Sequence, residues 1–93
     1  MSVIETEEEV LSELVEHSLG NLHEIVLYND DVNTFDHVIE CLVNYCGHDV
    51  VQAEQCSYIV HYNGKCAVKR GPKEKLIPIK NALINQRLRA KLQ

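Results

Sequence analysis

Turn-forming residues break this chain at Asn29-Asp30-Asp31, Gly47, Asn63-Gly64 and Gly71-Pro72, and each segment between them is long enough for one helix or one strand only. Glu24-Ile25-Val26-Leu27-Tyr28 is a compact apolar and β-branched run that reads as a strand feeding the first turn. Asn33 or Thr34 then caps a helix with Val38, Ile39, Leu42, Val43 and Cys46 on one face, closed by Gly47. Asp49-Val50-Val51-Gln52 has the capping-box form and opens a second helix. That helix sets Val50, Ala53, Cys56, Ser57, Val60 and His61 near one stripe, and Asn63-Gly64 ends it. Lys65 to Arg70 alternates polar and apolar as a strand does. Pro72 suits the first position of a third helix running to about Gln86, and Pro78 inside it predicts a late start or a kink. Leu88 to Leu92 alternates again and makes a short last strand. The order is β-α-α-β-α-β, an α+β arrangement of a three-stranded antiparallel sheet packed by three helices.

Charge divides the chain unevenly. Residues 1–31 contain nine carboxylates and no Lys or Arg, whereas all nine basic residues fall between Lys65 and Lys91. Residues 1–22 are expected to form a flexible acidic extension. Thr6-Glu7-Glu8-Glu9 is a capping box and Val10, Leu11, Leu14 and Val15 recur at helical spacing, but like charges such as Glu9 and Glu13 weaken a helix. Residues 23–93 then make one domain. A net charge of -5 argues against nonspecific nucleic-acid binding, which needs a basic surface. No apolar run approaches the ~18 residues of a membrane span, and the acidic start lacks a signal peptide's basic region, so a cytoplasmic protein is expected. Cys41, Cys46, Cys56 and Cys66 have no CxxC spacing, so they are expected to be reduced and packed, with no metal. His37 and Cys41, four apart on a helix, are two ligands and not a site.

No phosphate loop, zinc-protease, serine-hydrolase or nucleophilic-cysteine motif is present, so an enzyme is not expected. Ordinary turn chemistry would account for Asn29-Asp30-Asp31 by itself. Combined with His61 near the end of the second helix it gains another meaning. A carboxylate, an amide oxygen and a neutral imidazole nitrogen are three acceptors that suit an ammonium group.

The residues Leu27 to Ile39, Gln52 to Gln55 and Val60-His61-Tyr62-Asn63-Gly64-Lys65 resemble the ClpS adaptor family. The resemblance spans roughly residues 24–92 and implies the ClpS fold, no cofactor and no catalysis. It also implies binding of N-degrons: the free N-terminus of a protein is held and delivered to the N-terminal domain of a Clp AAA+ unfoldase. By position, Asn29, Asp30 and His61 would bond the substrate's α-amino group, and Asp31 would anchor the turn. A large first side chain would enter a pocket of Leu27, Tyr28, Asn33, Phe35, Val38, Ser57, Val60 and Leu88. Lys80 matches a lysine used toward the unfoldase, although Lys75 stands where the family has an acid. Phe35 and Ser57 each replace a methionine of the pocket. A protein–protein module on a ribosomal-stalk-like fold, with no need of an acceptor cluster, is the alternative that the same element order allows.

Overall fold

A computed structural model describes residues 22–93. The reading of residues 1–21 as a flexible, partly helical extension lies outside the described residues. The elements follow the expected order: β1 (Leu22–Tyr28), α1 (Phe35–Cys46), α2 (Val50–Asn63), β2 (Lys65–Pro72), α3 (Lys73–Asn85) and β3 (Arg89–Leu92). β1 is the central strand and pairs antiparallel with both others, giving the order β2-β1-β3. The register with β2 shifts at a bulge between Ile25 and Val26.

Caps fix the helix ends. Thr34 Oγ1 accepts from the His37 amide at 3.1 Å, and Asp49 Oδ1 accepts from the Gln52 amide at 2.7 Å, so each satisfies a donor that the first turn leaves open. Gly47 (φ 70°) and Gly64 (φ 93°) turn the chain left-handed at the far ends, a conformation that a Cβ opposes. Lys69 Nζ donates to the Cys46 carbonyl at 3.1 Å, placing a cation on the negative end of α1. α3 ends in the same left-handed fashion with no glycine. Arg87 adopts φ 70°, and the Leu88 amide reaches back to the Leu83 carbonyl at 3.1 Å.

Three details differ from expectation. Pro72 is the extended residue before α3 (ψ 144°) and not its first helical residue. α3 starts at Lys73 and runs through Pro78. The missing amide of Pro78 takes a helical donor only from Glu74, an exposed residue of the first turn, so the helix need not begin late. On α2 the buried stripe is Ala53, Ser57 and Val60, while Val50 and His61 are exposed.

The helices share one core with one face of the sheet. Ile25 and Leu27 of β1, Leu42 of α1, Val60 of α2, Leu76 and Leu83 of α3 and Ala90 of β3 form a continuous buried cluster. Because strand side chains alternate, Glu24, Val26 and Tyr28 project from the opposite face. All four cysteines are free, with Cys41 and Cys46 buried and Cys56 and Cys66 half-buried. Burial pushes the Cys46 thiol up to about 11. Burial, aided by the hydrogen-bonded Cys56 thiol, pushes Cys66 up to about 11 as well. Both therefore stay protonated at neutral pH and pack as small apolar groups.

The two left-handed positions give opposite predictions. Gly64→Ala forces a Cβ into a strained backbone and should lower unfolding free energy by about 1–2 kcal/mol. Arg87→Gly relieves the same strain and should change it in the stabilising direction by up to about 1 kcal/mol, less the entropy glycine adds to the unfolded chain. Urea unfolding checks both, and equal destabilisation by the two would contradict the account.

Candidate functional site

The site is built where β1 ends and α2 ends. The Asn29 amide donates to the Gly64 carbonyl at 2.9 Å, and the Gly64 amide donates to the Val60 carbonyl at 2.9 Å. These bonds hold the strand end against the last turn of the helix that carries His61. The turn then closes on Asp30. Its Oδ1 accepts from the Val32 amide (2.9 Å) and the Asn33 amide (2.8 Å), and its Oδ2 accepts from Asn33 Nδ2 (2.8 Å). Asn33 Nδ2 also donates to the Arg87 carbonyl at 2.8 Å, which ties the turn to the end of α3. Burial raises the Asp30 carboxyl pKa, but the Asn33 and Val32 hydrogen bonds and the charge of Arg89 outweigh it. The net effect holds the group below its ordinary value of 3.8, so it is an anion at neutral pH.

Asp30, and not Asp31, makes the bonds that anchor the turn; Asp31 is exposed and makes no hydrogen bond among the described residues. The physical reason is spacing, because an Asx turn closes on amides two and three residues onward, here Val32 and Asn33. Of the residues expected to hold the amine, the Asn29 side-chain amide and the exposed His61 imidazole make no hydrogen bond among the described residues, and Asp30 Oδ2 accepts only one.

Around His61 stands an aromatic cluster. Phe35, the first residue of α1, lies 5.0 Å from the His61 ring and 5.2 Å from Tyr58. Tyr62 meets His61 edge-on at 4.7 Å and stacks with Tyr58 at 6.2 Å. Phe35 thus joins the capped start of α1 to the His61 side of the site.

The expected apolar pocket residues divide. Leu27, Ser57, Val60 and Leu88 are buried, and Val38 and Phe35 are half-buried. The Ser57 hydroxyl donates to the Ala53 carbonyl at 2.8 Å, so it is satisfied within its own helix. Tyr28 is a correction: its ring lies on the outer face of the sheet, with Lys91 Nζ 5.4 Å from the ring centre and its hydroxyl accepting from Gln93 Nε2 at 3.0 Å. Leu27 and Tyr28 cannot share a face because they are neighbours on one strand. Lys80 is half-buried on α3. The sequence reading also missed a cleft of about 410 Å³ between the turn, the start of α1 and the end of α3, lined by Val32, Asn33, Thr34, His37, Asn85, Gln86 and Arg87. The Thr34 cap was readable; the left-handed Arg87 that closes the cleft carries no local sequence signal. His37 Nε2 donates to the Gln86 carbonyl at 2.9 Å and lies 3.7 Å from Cys41 Sγ, so the imidazole serves as a strut between α1 and α3. Among the described residues no three His, Cys, Asp or Glu side chains gather as a metal site would require, and no helix is long and apolar enough to cross a membrane.

Known proteins match this chain over most of the same region. The family model for ATP-dependent Clp protease adaptor protein ClpS matches residues 19–91. The ClpS adapter of Nostoc sp. is 43% identical over 53 residues, covering 56% of this chain and 55% of that protein. That of Thermosynechococcus vestitus is 38% identical over 53 residues, with 56% of each chain covered. That of Campylobacter jejuni is 40% identical over 43 residues, covering 46% of this chain and 45% of its own. The matched segments thus span about half the length of these relatives. Among solved structures, Agrobacterium tumefaciens ClpS2 bound to L-phenylalaninamide superposes with a TM-score of 0.73 at 15% identity, covering 78% of this chain and 95% of that one. At that identity the likeness concerns the fold, while the family model runs from before β1, through the turn and all three helices, into β3: the chain belongs to the ClpS family of ATP-dependent Clp protease adaptors.

Proposed function

We propose that this chain is an adaptor that binds proteins by a free N-terminus with a large hydrophobic first residue and hands them to a Clp AAA+ unfoldase. The observation that carries the reading is the Asp30 carboxylate: it is fixed in place by the turn, held as an anion, and its Oδ2 accepts only one hydrogen bond. An ammonium group offers three donors and a positive charge, which the Asp30 oxygen, the Asn29 amide oxygen and a neutral His61 nitrogen can take up. The first side chain enters between Phe35, Val38, Val60 and Leu88. The Agrobacterium relative, solved with an amine that carries an aromatic side chain, supports the same chemistry. Residues 1–22 and Lys80 face the unfoldase in this reading, and the adaptor works in the cytoplasm without catalysis of its own.

The energies agree with a transient adaptor. Burying one large apolar side chain contributes about 1.5–3 kcal/mol. Each charge-assisted bond contributes about 1.5–3 kcal/mol before association costs, so micromolar binding follows. An acetylated N-terminus has neither the charge nor the donors and leaves the acceptors unpaired, so it is rejected.

Fluorescence titration with a peptide beginning in free Leu or Phe should show binding that acetylation abolishes; equal binding of the two forms would overturn the reading. His61→Ala should weaken binding by about 1–3 kcal/mol, with circular dichroism unchanged because the ring is exposed. Asp30→Ala should cost at least as much, since it removes both an acceptor and the turn's anchor. Carbon-detected NMR titration of the Asp30 carboxyl should give a midpoint below 3.8. With the folded-state pKa depressed, the stability contributed by this turn is present above the unfolded value and is lost as pH falls through the folded one. A midpoint at or above 3.8 would contradict the turn geometry.

A further inference from the structure

The Asp30 carboxylate is held by hydrogen bonds from Val32 and Asn33, whereas no hydrogen bond among the described residues fixes the His61 ring. That ring is exposed, on the last turn of α2. A side chain so placed exchanges between staggered rotamers in water, and an acceptor turned away from the amine contributes nothing to binding. Other rings set its orientation instead. Phe35 lies 5.0 Å from it at an interplanar angle of 55°, and Tyr62 meets it edge-on at 4.7 Å and 86°. Tyr58 completes the arrangement, 5.2 Å from Phe35 and 6.2 Å from Tyr62, the latter almost parallel to it at 9°. All of these spacings fall within the about 4.5–7 Å of favourable aromatic pairs.

The rings form a closed circuit, Phe35–Tyr58–Tyr62–His61, that bridges the start of α1 and the end of α2. Within it Tyr58 pairs with both rings that flank His61 and not with His61 itself. Helical spacing explains half of this, because Tyr58 and Tyr62 are four apart and stand one above the other on α2. The Thr34 cap explains the rest, since it fixes where Phe35, the first residue of α1, is placed. Tyr58 is 55% exposed and Tyr62 78%, so core burial is a weak reason for either to be aromatic. The Tyr58 hydroxyl makes no hydrogen bond among the described residues, which leaves its ring as the part that matters.

We infer that Tyr58 is a positioning residue of the amine site: by packing on Phe35 and Tyr62 together it holds the His61 imidazole in the orientation that offers a nitrogen to the substrate's amino group. The inference rests on reading that site as a receptor for an amino terminus, but the order of the imidazole in the free protein tests it separately. Removing the Tyr58 ring takes a neighbour from Phe35 and from Tyr62 at once, and the imidazole then divides its time among rotamers. With about one productive rotamer in three, apparent affinity falls about threefold.

NMR of the full chain, labelled at histidine and free of ligand, reads the His61 side chain through its Hα–Hβ couplings. The unmutated protein and Tyr58→Phe, which keeps the ring, should each show a single χ1 rotamer. Tyr58→Leu should show averaged couplings, with amide shifts outside α2 and the start of α1 unchanged. Titration with a peptide beginning in free Leu should give Tyr58→Leu a Kd raised about threefold and Tyr58→Phe the unmutated value. Added to His61→Ala, Tyr58→Leu should weaken binding no further, because no imidazole remains to be placed. An averaged His61 rotamer in the unmutated protein, a single one in Tyr58→Leu, or an equal further loss on top of His61→Ala would each overturn the inference. Couplings as expected but no binding of the peptide by the unmutated protein would sink the amino-terminus reading, while upholding Tyr58 as the residue that orders His61.

Discussion

Asn33 Nδ2 sits between the Asp30 carboxylate and the Arg87 carbonyl, 2.8 Å from each, and the geometry of the candidate site depends on that bridge. It joins the turn after β1 to the end of α3, 54 residues away in sequence. The Asn29–Gly64 backbone bond adds the end of α2 to the same knot. Three chain ends are thereby fixed around one carboxylate, and each bond spends a donor that the turn would otherwise have to show to water. Removing Asn33 would leave the Arg87 carbonyl without this donor and free the very carboxylate that must stay placed. A rigid anion at the rim of a core built from short elements is an economical way for so small a domain to present charge.

The fold was legible because its boundaries carry strong local chemistry. Thr34 and Asp49 bond the amides their positions predict, and Gly47 and Gly64 adopt the left-handed backbone that glycine permits. The parts that were not legible depend on tertiary context. Ile25-Val26-Leu27-Tyr28 is apolar throughout, so nothing in its pattern says which face meets the helices, and position within the family alone does not separate Leu27 from Tyr28, whose ring is on the other side. Asp30 and Asp31 are chemically identical, and only the Asx geometry distinguishes the anchored one. Arg87 takes a conformation that its residue type disfavours because Leu88 must return to the core directly after α3.

Packing also separates two electrostatic regions that the linear sequence only hints at. From Asn29 to Gly64 the domain carries carboxylates and no Lys or Arg, and the aromatic rings of Phe35, Tyr58 and Tyr62 gather beside His61 there. Tyr62 is 78% exposed, an unusual cost for a small domain unless the surface meets a partner. The cations lie on β2, α3, β3 and the turn that holds Arg87, several of them on the outer sheet face. The α1–α2 side of the proposed amine site is thus anionic and aromatic, while Arg87 and Arg89 approach the turn from the side of β3. Phe35 packs against Tyr58 and His61 together, which holds this position more rigidly than a flexible methionine would.

The central claim is that Asn29, Asp30 and His61 act as one receptor for an amino terminus. Two-dimensional amide NMR of the labelled protein during addition of L-phenylalaninamide tests it most directly. The account predicts shifts concentrated at Asn29, Asp30, Phe35, His61 and Gly64, with Lys65, Lys91 and the outer face of the sheet unmoved. Shifts confined to the Val32–Thr34–His37–Arg87 cleft, or none at millimolar ligand, would contradict it.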